Sequence, residues 1–151
     1  MSVEYRFATA LDSVRLAELA ELYVFAGWIP AGEPADFLPG MIAGSAVFIA
    51  AFDSGSGRLI GCGRALSDGA SDGYIQDITV HPQWRRRGIG GEIVMRLARE
   101  LERRGVDWIG LVGEPGTESF YRGLGFERQP GFTLWKFPVN IDGGATKEDR
   151  C

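Results

Sequence analysis

At 151 residues, with 45% hydrophobic and 24% charged side chains, the chain has the size and balance of one globular domain around one core. Sixteen basic against twenty acidic residues leave a net charge of −4, which disfavours non-specific nucleic-acid binding. A single histidine, His81, and two distant cysteines, Cys62 and Cys151, offer no metal-ligand spacing and no disulfide framework.

In chain order, Val3 to Ala8 reads as a short strand, with Val3, Tyr5 and Phe7 on one side. Asp12 or Ser13 offers an N-cap for a helix whose stripe is Leu16, Leu19, Ala20, Leu22 and Tyr23, ending near Phe25. A loop through Gly27 and Pro30 leads to a second, short helix over Pro34 to Ala43, interrupted near Pro39-Gly40. Ala46 to Phe52 and Arg58 to Ala65 are strands joined by a Gly/Ser turn, and Tyr74 to Val80 is a further strand. Gly88 to Arg104 forms the strongest amphipathic helix, with Ile93, Val94, Leu97, Ala98 and Leu101 in one stripe and Gly105 as its stop. Trp108 to Val112 is the next strand, Thr117 to Arg122 a short helix, and Phe132 to Phe137 a closing strand. The longest apolar run, Ala46 to Phe52, is far short of a membrane span, and the N-terminus has no apolar leader, so a cytoplasmic protein is expected. The pattern predicts an α/β domain over residues 1–139, antiparallel in its first half with a β-α-β crossover in its middle, and a loose tail over 140–151.

The most informative stretch is Tyr74 to Gly91. A strand ends at Val80, a Pro-containing turn follows, and Arg85-Arg86-Arg87-Gly88-Ile89-Gly90-Gly91 opens a helix. Glycines there let backbone N–H groups approach a ligand, and the helix dipole adds positive potential at the same point. Residues 81–104 carry seven Arg against three Glu, +4, leaving −8 for the rest of a chain at −4. Such a localised site suits a small polyanion better than a duplex. A dinucleotide fingerprint fits poorly, because the turn separates strand from glycines, and a Walker loop is excluded by the lack of Gly-Lys-Ser/Thr.

Arg85-Arg86-Arg87-Gly88-Ile89-Gly90 resembles the Arg/Gln-x-x-Gly-x-Gly/Ala signature of the GNAT acyl-CoA N-acyltransferase superfamily. Asp77-Ile78-Thr79-Val80-His81-Pro82 precedes it as that family's fourth strand does, and Ser119 to Phe126 resembles its Phe-Tyr-x-x-x-Gly-Phe segment. The resemblance implies a mixed, mostly antiparallel sheet with splayed central strands flanked by helices. It further implies acetyl-CoA as co-substrate, with the coenzyme A diphosphate on the backbone of Arg85, Arg86, Arg87, Gly88, Ile89, Gly90 and Gly91. The pantetheine arm would lie along Ile78, Thr79 and Val80, as an edge strand receives an extended chain, and the N–H of Val80 would face the thioester oxygen. No metal is implied.

The implied reaction is direct attack of a neutral amine on the thioester. Tyr121 is the candidate acid for the leaving thiolate. Some polyamine-type members carry Glu-Asp on the fourth strand where this chain has Gln76-Asp77, so Asp77, alone or through water, is the candidate base. Tyr74, Glu114 and Glu118 are the fallback bases. Phe25, Trp28 and Tyr74 are candidates for the acceptor cleft, with Phe37 nearby; the first two and Phe37 read equally well as core contacts of the first helices. His81 reads as a turn cap or a proton relay, and Cys62 as a packed core residue. The expected partner is a small-molecule amine; the alternatives are a protein N-terminal or lysine acetyltransferase and a non-catalytic acyl-CoA-binding module. Family members often pair as homodimers through C-terminal strands, a contact that Phe132, Leu134 and Trp135 would serve here.

Overall fold

The computed structural model describes residues 2–139. The chain runs β1 (Val3–Phe7), α1 (Ser13–Phe25), α2 (Leu38–Gly44), β2 (Val47–Asp53), β3 (Leu59–Ser67), β4 (Asp72–Val80), α3 (Ile89–Arg103), β5 (Trp108–Leu111) and α4 (Glu118–Gly123), with a 3-10 turn at Pro82–Trp84 before α3. One sheet has the order β1-β2-β3-β4-β5. Its first four strands are antiparallel neighbours, and β5 joins β4 in parallel after the α3 crossover.

The sheet is covered on both faces, and β2 shows why. Its alternate residues Val47, Ile49 and Ala51 pack toward α3 with Ile93, Val94, Leu97 and Leu101. The residues between them, Phe48, Ala50 and Phe52, pack toward α1 and α2 with Leu19, Leu22, Leu38 and Ile42. A period of two with both phases apolar is the sequence of a strand buried on both sides. On the α3 face the helix lies close to the backbone: a Cβ on Gly73 would come within 2.8 Å of Leu101 Cδ1.

The starts of the first three helices have local causes. Asp12 caps α1 by accepting from the Arg15 N–H at 2.8 Å. The second helix starts at Leu38 rather than Pro34, with Pro39 in its first turn, where a missing N–H costs nothing. At the start of α3, Gly88 is the N-cap in the left-handed region, φ 78°.

The expected closing strand over Phe132 to Phe137 is not formed. Those residues pair with no strand, and Phe132, Leu134, Trp135 and Phe137 are 84, 71, 88 and 82% exposed. Alternation gives this segment a strand-like pattern, but a strand also needs a neighbour to pair with, and the pattern does not supply one. The expected tail over 140–151, with Cys151, lies outside the described residues. Among the described residues no helix is long and apolar enough to cross a membrane.

Candidate active site

The site begins with a mismatch between two strands. The short β5 pairs only with Asp72 to Ile75 of β4, although β4 continues to Val80. Over Gln76 to Val80 the sheet therefore opens. Across on β3, the ladder passes from Cys62↔Thr79 to Arg64↔Gln76, so Asp77 and Ile78 together oppose the single residue Gly63. This is a β-bulge, and Asp77 sits in it at φ 56°, an uncommon conformation for a residue with a side chain.

The bulge decides which way the side chains point. Without it, Gln76 and Asp77 would face opposite sides of the sheet. With it, both line one cavity, while Ile78 and Val80 pack toward the α3 core. Gly63 makes room: a Cβ there would lie 2.5 Å from Ile78 Cδ1 and 2.7 Å from Ile93 Cγ2. Beyond the bulge, the His81 N–H bonds the Ile60 carbonyl at 2.7 Å. Antiparallel alternation then turns the N–H and C=O of Val80 away from β3, into the opening. The Val80 carbonyl accepts Arg85 Nε at 3.0 Å, which ties the arginine-rich loop to the strand end.

The cavity, about 570 Å3, lies against the α1 face of the opening. Its walls include Tyr23, Trp28, Phe37 and Tyr74, with Arg64, Asp77 and Glu114 as charged groups. Asp77 Oδ2 accepts the Arg64 guanidinium at 2.7 Å and the Tyr23 hydroxyl at 3.0 Å. Burial, reinforced by Cys62 and Asp77, pushes the Tyr23 phenol far above its ordinary range, so it is a fixed donor to that carboxylate. Trp28 stands edge-on to Tyr23 at 5.0 Å and points its Nε1 at Glu114 Oε1, 3.5 Å away.

Trp28, Tyr74, Asp77 and the fallback Glu114 thus come together. Phe25 does not join them: its ring packs edge-on against His81 at 5.1 Å. Two residues past Tyr23 along a helix is about 200° of rotation, which carries Phe25 away from the cavity that Tyr23 faces. Glu118, the other fallback base, does not line the cavity and pairs with Arg122 on α4. His81 caps the turn, Nδ1 accepting from the Gln83 N–H at 3.2 Å. Cys62 is fully buried among the α1 side residues.

At the far end of the opening is the mouth of α3. Arg86 and Gly88 both have positive φ, 60° and 78°, a winding that turns successive N–H groups toward one concavity. A Cβ on Gly88 would meet nothing within 4 Å, and one on Gly90 would lie 3.7 Å from both Val80 Cγ2 and Phe120 Cζ. This is an open cradle that a side chain would fill, bordered by Arg85 and by Arg87, whose guanidinium lies 5.0 Å over the Trp84 ring. Tyr121 stands on the other bank, half-buried against Phe126, with its ring 3.6 Å from where a Gly113 Cβ would be. Burial, with Glu114 adding to it, raises the Tyr121 phenol above its usual range.

A model of the GNAT acetyltransferase domain matches residues 43–128, the span that holds β2 to α4 and both ends of the opening. The chain belongs to the GNAT acetyltransferase family. It is 31% identical over 120 residues to the uncharacterized N-acetyltransferase ycf52 of Porphyra purpurea, covering 78% of this chain and 68% of that protein. Shorter matches reach serotonin N-acetyltransferase 2 of Oryza sativa, 36% over 77 residues, and histone acetyltransferase TAP1 of Glycine max, 40% over 73. These cover 51 and 48% of this chain but only 38 and 32% of those proteins. Among solved structures, glucosamine-6-phosphate N-acetyltransferase of Arabidopsis thaliana superposes with a TM-score of 0.72 at 16% identity, covering 91% of this chain and 99% of that one. A GNAT-family acetyltransferase of Streptococcus pneumoniae gives 0.69 at 23%, covering 95 and 100%. At these identities both likenesses are of fold. This GNAT acetyltransferase has the family's mixed, mostly antiparallel sheet flanked by helices.

Residues missed in the sequence are Tyr23 and Arg64. Tyr23 reads as one more member of the α1 core stripe. Arg64 carried a signal: it is the lone charge inside the apolar run Leu59 to Leu66, and such a residue needs a carboxylate partner. Among the described residues, no group of three or more His, Cys, Asp or Glu side chains is arranged to hold a metal ion.

Proposed function

We propose that this GNAT acetyltransferase moves the acetyl group of acetyl-CoA to the primary amine of a small molecule by direct attack. The observation that carries the reading is the continuity of the opening. The unpaired stretch of β4 leads from the aromatic cavity at Gln76 and Asp77 to the cradle at Gly88 and Gly90, spanning about 13 Å at strand rise.

When bound, acetyl-CoA supplies an activated acyl group; the protein's part is to hold and orient it and to manage two protons. In this reading the backbone from Arg85 to Gly91 binds the diphosphate, as the positive-φ winding and the helix start favour. The free edge at Ile78, Thr79 and Val80 receives the amide-bearing arm. The Val80 N–H, turned into the opening, is a preorganised donor for developing negative charge. Asp77, fixed on Oδ2 by Arg64 and Tyr23, presents Oδ1 to take the proton of the incoming amine, directly or through water. Tyr121, a phenol that is protonated at neutral pH, donates its phenolic proton to the departing sulfur.

The aromatic lining of the cavity, which suits a compact apolar body, supports a small amine over a protein acceptor. The test is release of free thiol from acetyl-CoA in the presence of an amine panel, with Tyr121→Phe alongside. The wild type is expected to release thiol with amine, and Tyr121→Phe to lower kcat by about 10- to 100-fold. Binding of acetyl-CoA without transfer to any amine would make the chain a non-catalytic module instead.

A further inference from the structure

We infer that the acceptor is an amine that is cationic in solution and joined to an aromatic or aliphatic body bearing no carboxylate or phosphate, and that Glu114 enforces this choice. The inference rests on the acetyl-transfer reading above and narrows its substrate.

Three charged side chains line the cavity, one cation against two carboxylates. The cation, Arg64, is already engaged: its Nε lies 2.7 Å from Asp77 Oδ2, and the pair is half-buried, at 17 and 26% side-chain exposure. An anionic group on a substrate would have to take Arg64 from Asp77, leaving a half-buried carboxylate without its counter-charge. Glu114 is different. Its cavity-side contact is the neutral Trp28 Nε1 at a long 3.5 Å, so its charge is uncompensated within the wall. The cavity therefore carries one net negative charge, set among aromatic rings.

Those rings strengthen the preference. Tyr23 and Trp28 meet edge to face at 5.0 Å, Phe37 lies 6.4 Å from Tyr23, and Tyr74 completes the wall. Aromatic faces accept apolar bodies and attract cations, and repel anions. Glu114 draws in the ammonium form; the proton is then lost before attack, so Glu114 governs capture and Asp77 the chemical step. Glu114 is a specificity-determining residue here, not a base.

A matched pair of probes tests this: 2-phenylethylamine against phenylalanine, which differ by one carboxylate, with phenylalaninamide as the neutral form of the same bulk. Thiol release is followed for the wild type and Glu114→Gln. The expected kcat/KM for 2-phenylethylamine exceeds that for phenylalanine by about 10-fold, the repulsion from the exposed Glu114 carboxylate being partly screened by solvent. Phenylalaninamide should recover most of the difference. Glu114→Gln should raise the KM for 2-phenylethylamine by about 5- to 10-fold with a smaller change in kcat, and narrow the discrimination against phenylalanine. Equal handling of 2-phenylethylamine and phenylalanine would overturn the inference while leaving acetyl transfer intact. So would an unchanged KM in Glu114→Gln, or transfer to a lysine peptide but not to 2-phenylethylamine. Failure of every amine and peptide despite bound acetyl-CoA would instead overturn the acetyl-transfer reading beneath it.

Discussion

Tyr23 and Asp77 lie 54 positions apart in sequence and meet at 3.0 Å, the phenol donating to Oδ2 beside the Arg64 guanidinium. A carboxylate on a bulged strand, at an uncommon backbone angle, is thereby held from two sides. Tyr23→Phe keeps the ring contacts with Trp28 and Phe37 and removes only the donor. It should cost about 1–2 kcal/mol of stability and lower kcat while leaving acetyl-CoA affinity near the wild-type value. Asp77→Asn should lower kcat by about 100-fold, the scale of a lost general base. Thermal unfolding and thiol-release kinetics read both, and full kcat in Asp77→Asn would remove it as the base.

Gly63 is the hinge of the same geometry, viewed from β3. Gly63→Ala would set a methyl carbon 2.5 Å from Ile78 Cδ1, 2.7 Å from Ile93 Cγ2 and 3.0 Å from Leu97 Cδ1, so that these side chains or the strand must shift. Overpacking of this kind costs about 1–3 kcal/mol, or about 2–4 °C in Tm for each kcal/mol in a domain of this size. Relief by shifting the bulge would re-aim Asp77, so activity should fall more than stability alone explains. A variant with wild-type Tm and turnover would show that the bulge does not depend on this close contact.

His81 gives a pH prediction with a definite sign. Burial, then the nearby Arg58 and Arg85 with Glu21 in opposition, holds its imidazole below the ordinary histidine range. The folded state therefore prefers the neutral ring, and as pH falls through about 6.5 the unfolded chain takes up the proton first. Stability should be fully present above that point and decline from pH 7 to 5.5. His81 is the single histidine in the sequence, and unperturbed carboxylates titrate lower, near pH 4, so the slope in this window reports on it. His81→Asn retains an acceptor for the Gln83 N–H and should flatten the dependence of Tm on pH. An equally steep slope in His81→Asn would assign it elsewhere.

The parts of this molecule legible in the sequence were those written locally. The α3 stripe from Ile93 to Leu101 and the Arg85 to Gly91 run give both a helix and its open mouth, because caps, glycines and periodicity are short-range signals. The β-α-β crossover followed from element order. What could not be read depended on registry between distant segments. The bulge at Asp77 exists only in the pairing of β4 with β3, and Tyr23 joins the site only because α1 lies over Cys62 and Arg64. Phe25 misled for the complementary reason: near Trp28 in sequence, it is carried off by the helical turn to meet His81. The alternation of Phe132 to Phe137 described a strand whose partner the sequence could not name.

The central claim is that backbone amides at the mouth of α3 grip the diphosphate of acetyl-CoA, and calorimetric titration of two variants tests it most directly. Gly90→Val places its Cβ in ordinary contact with Val80 and Phe120, and valine suits a helix better than glycine, so the fold should persist. Asp77→Asn alters the chemistry and leaves the mouth untouched. Saturable binding should be equal in wild type and Asp77→Asn and at least about tenfold weaker in Gly90→Val, a change of 1.4 kcal/mol or more. Equal affinity in all three, or no binding by the wild type, would contradict the account.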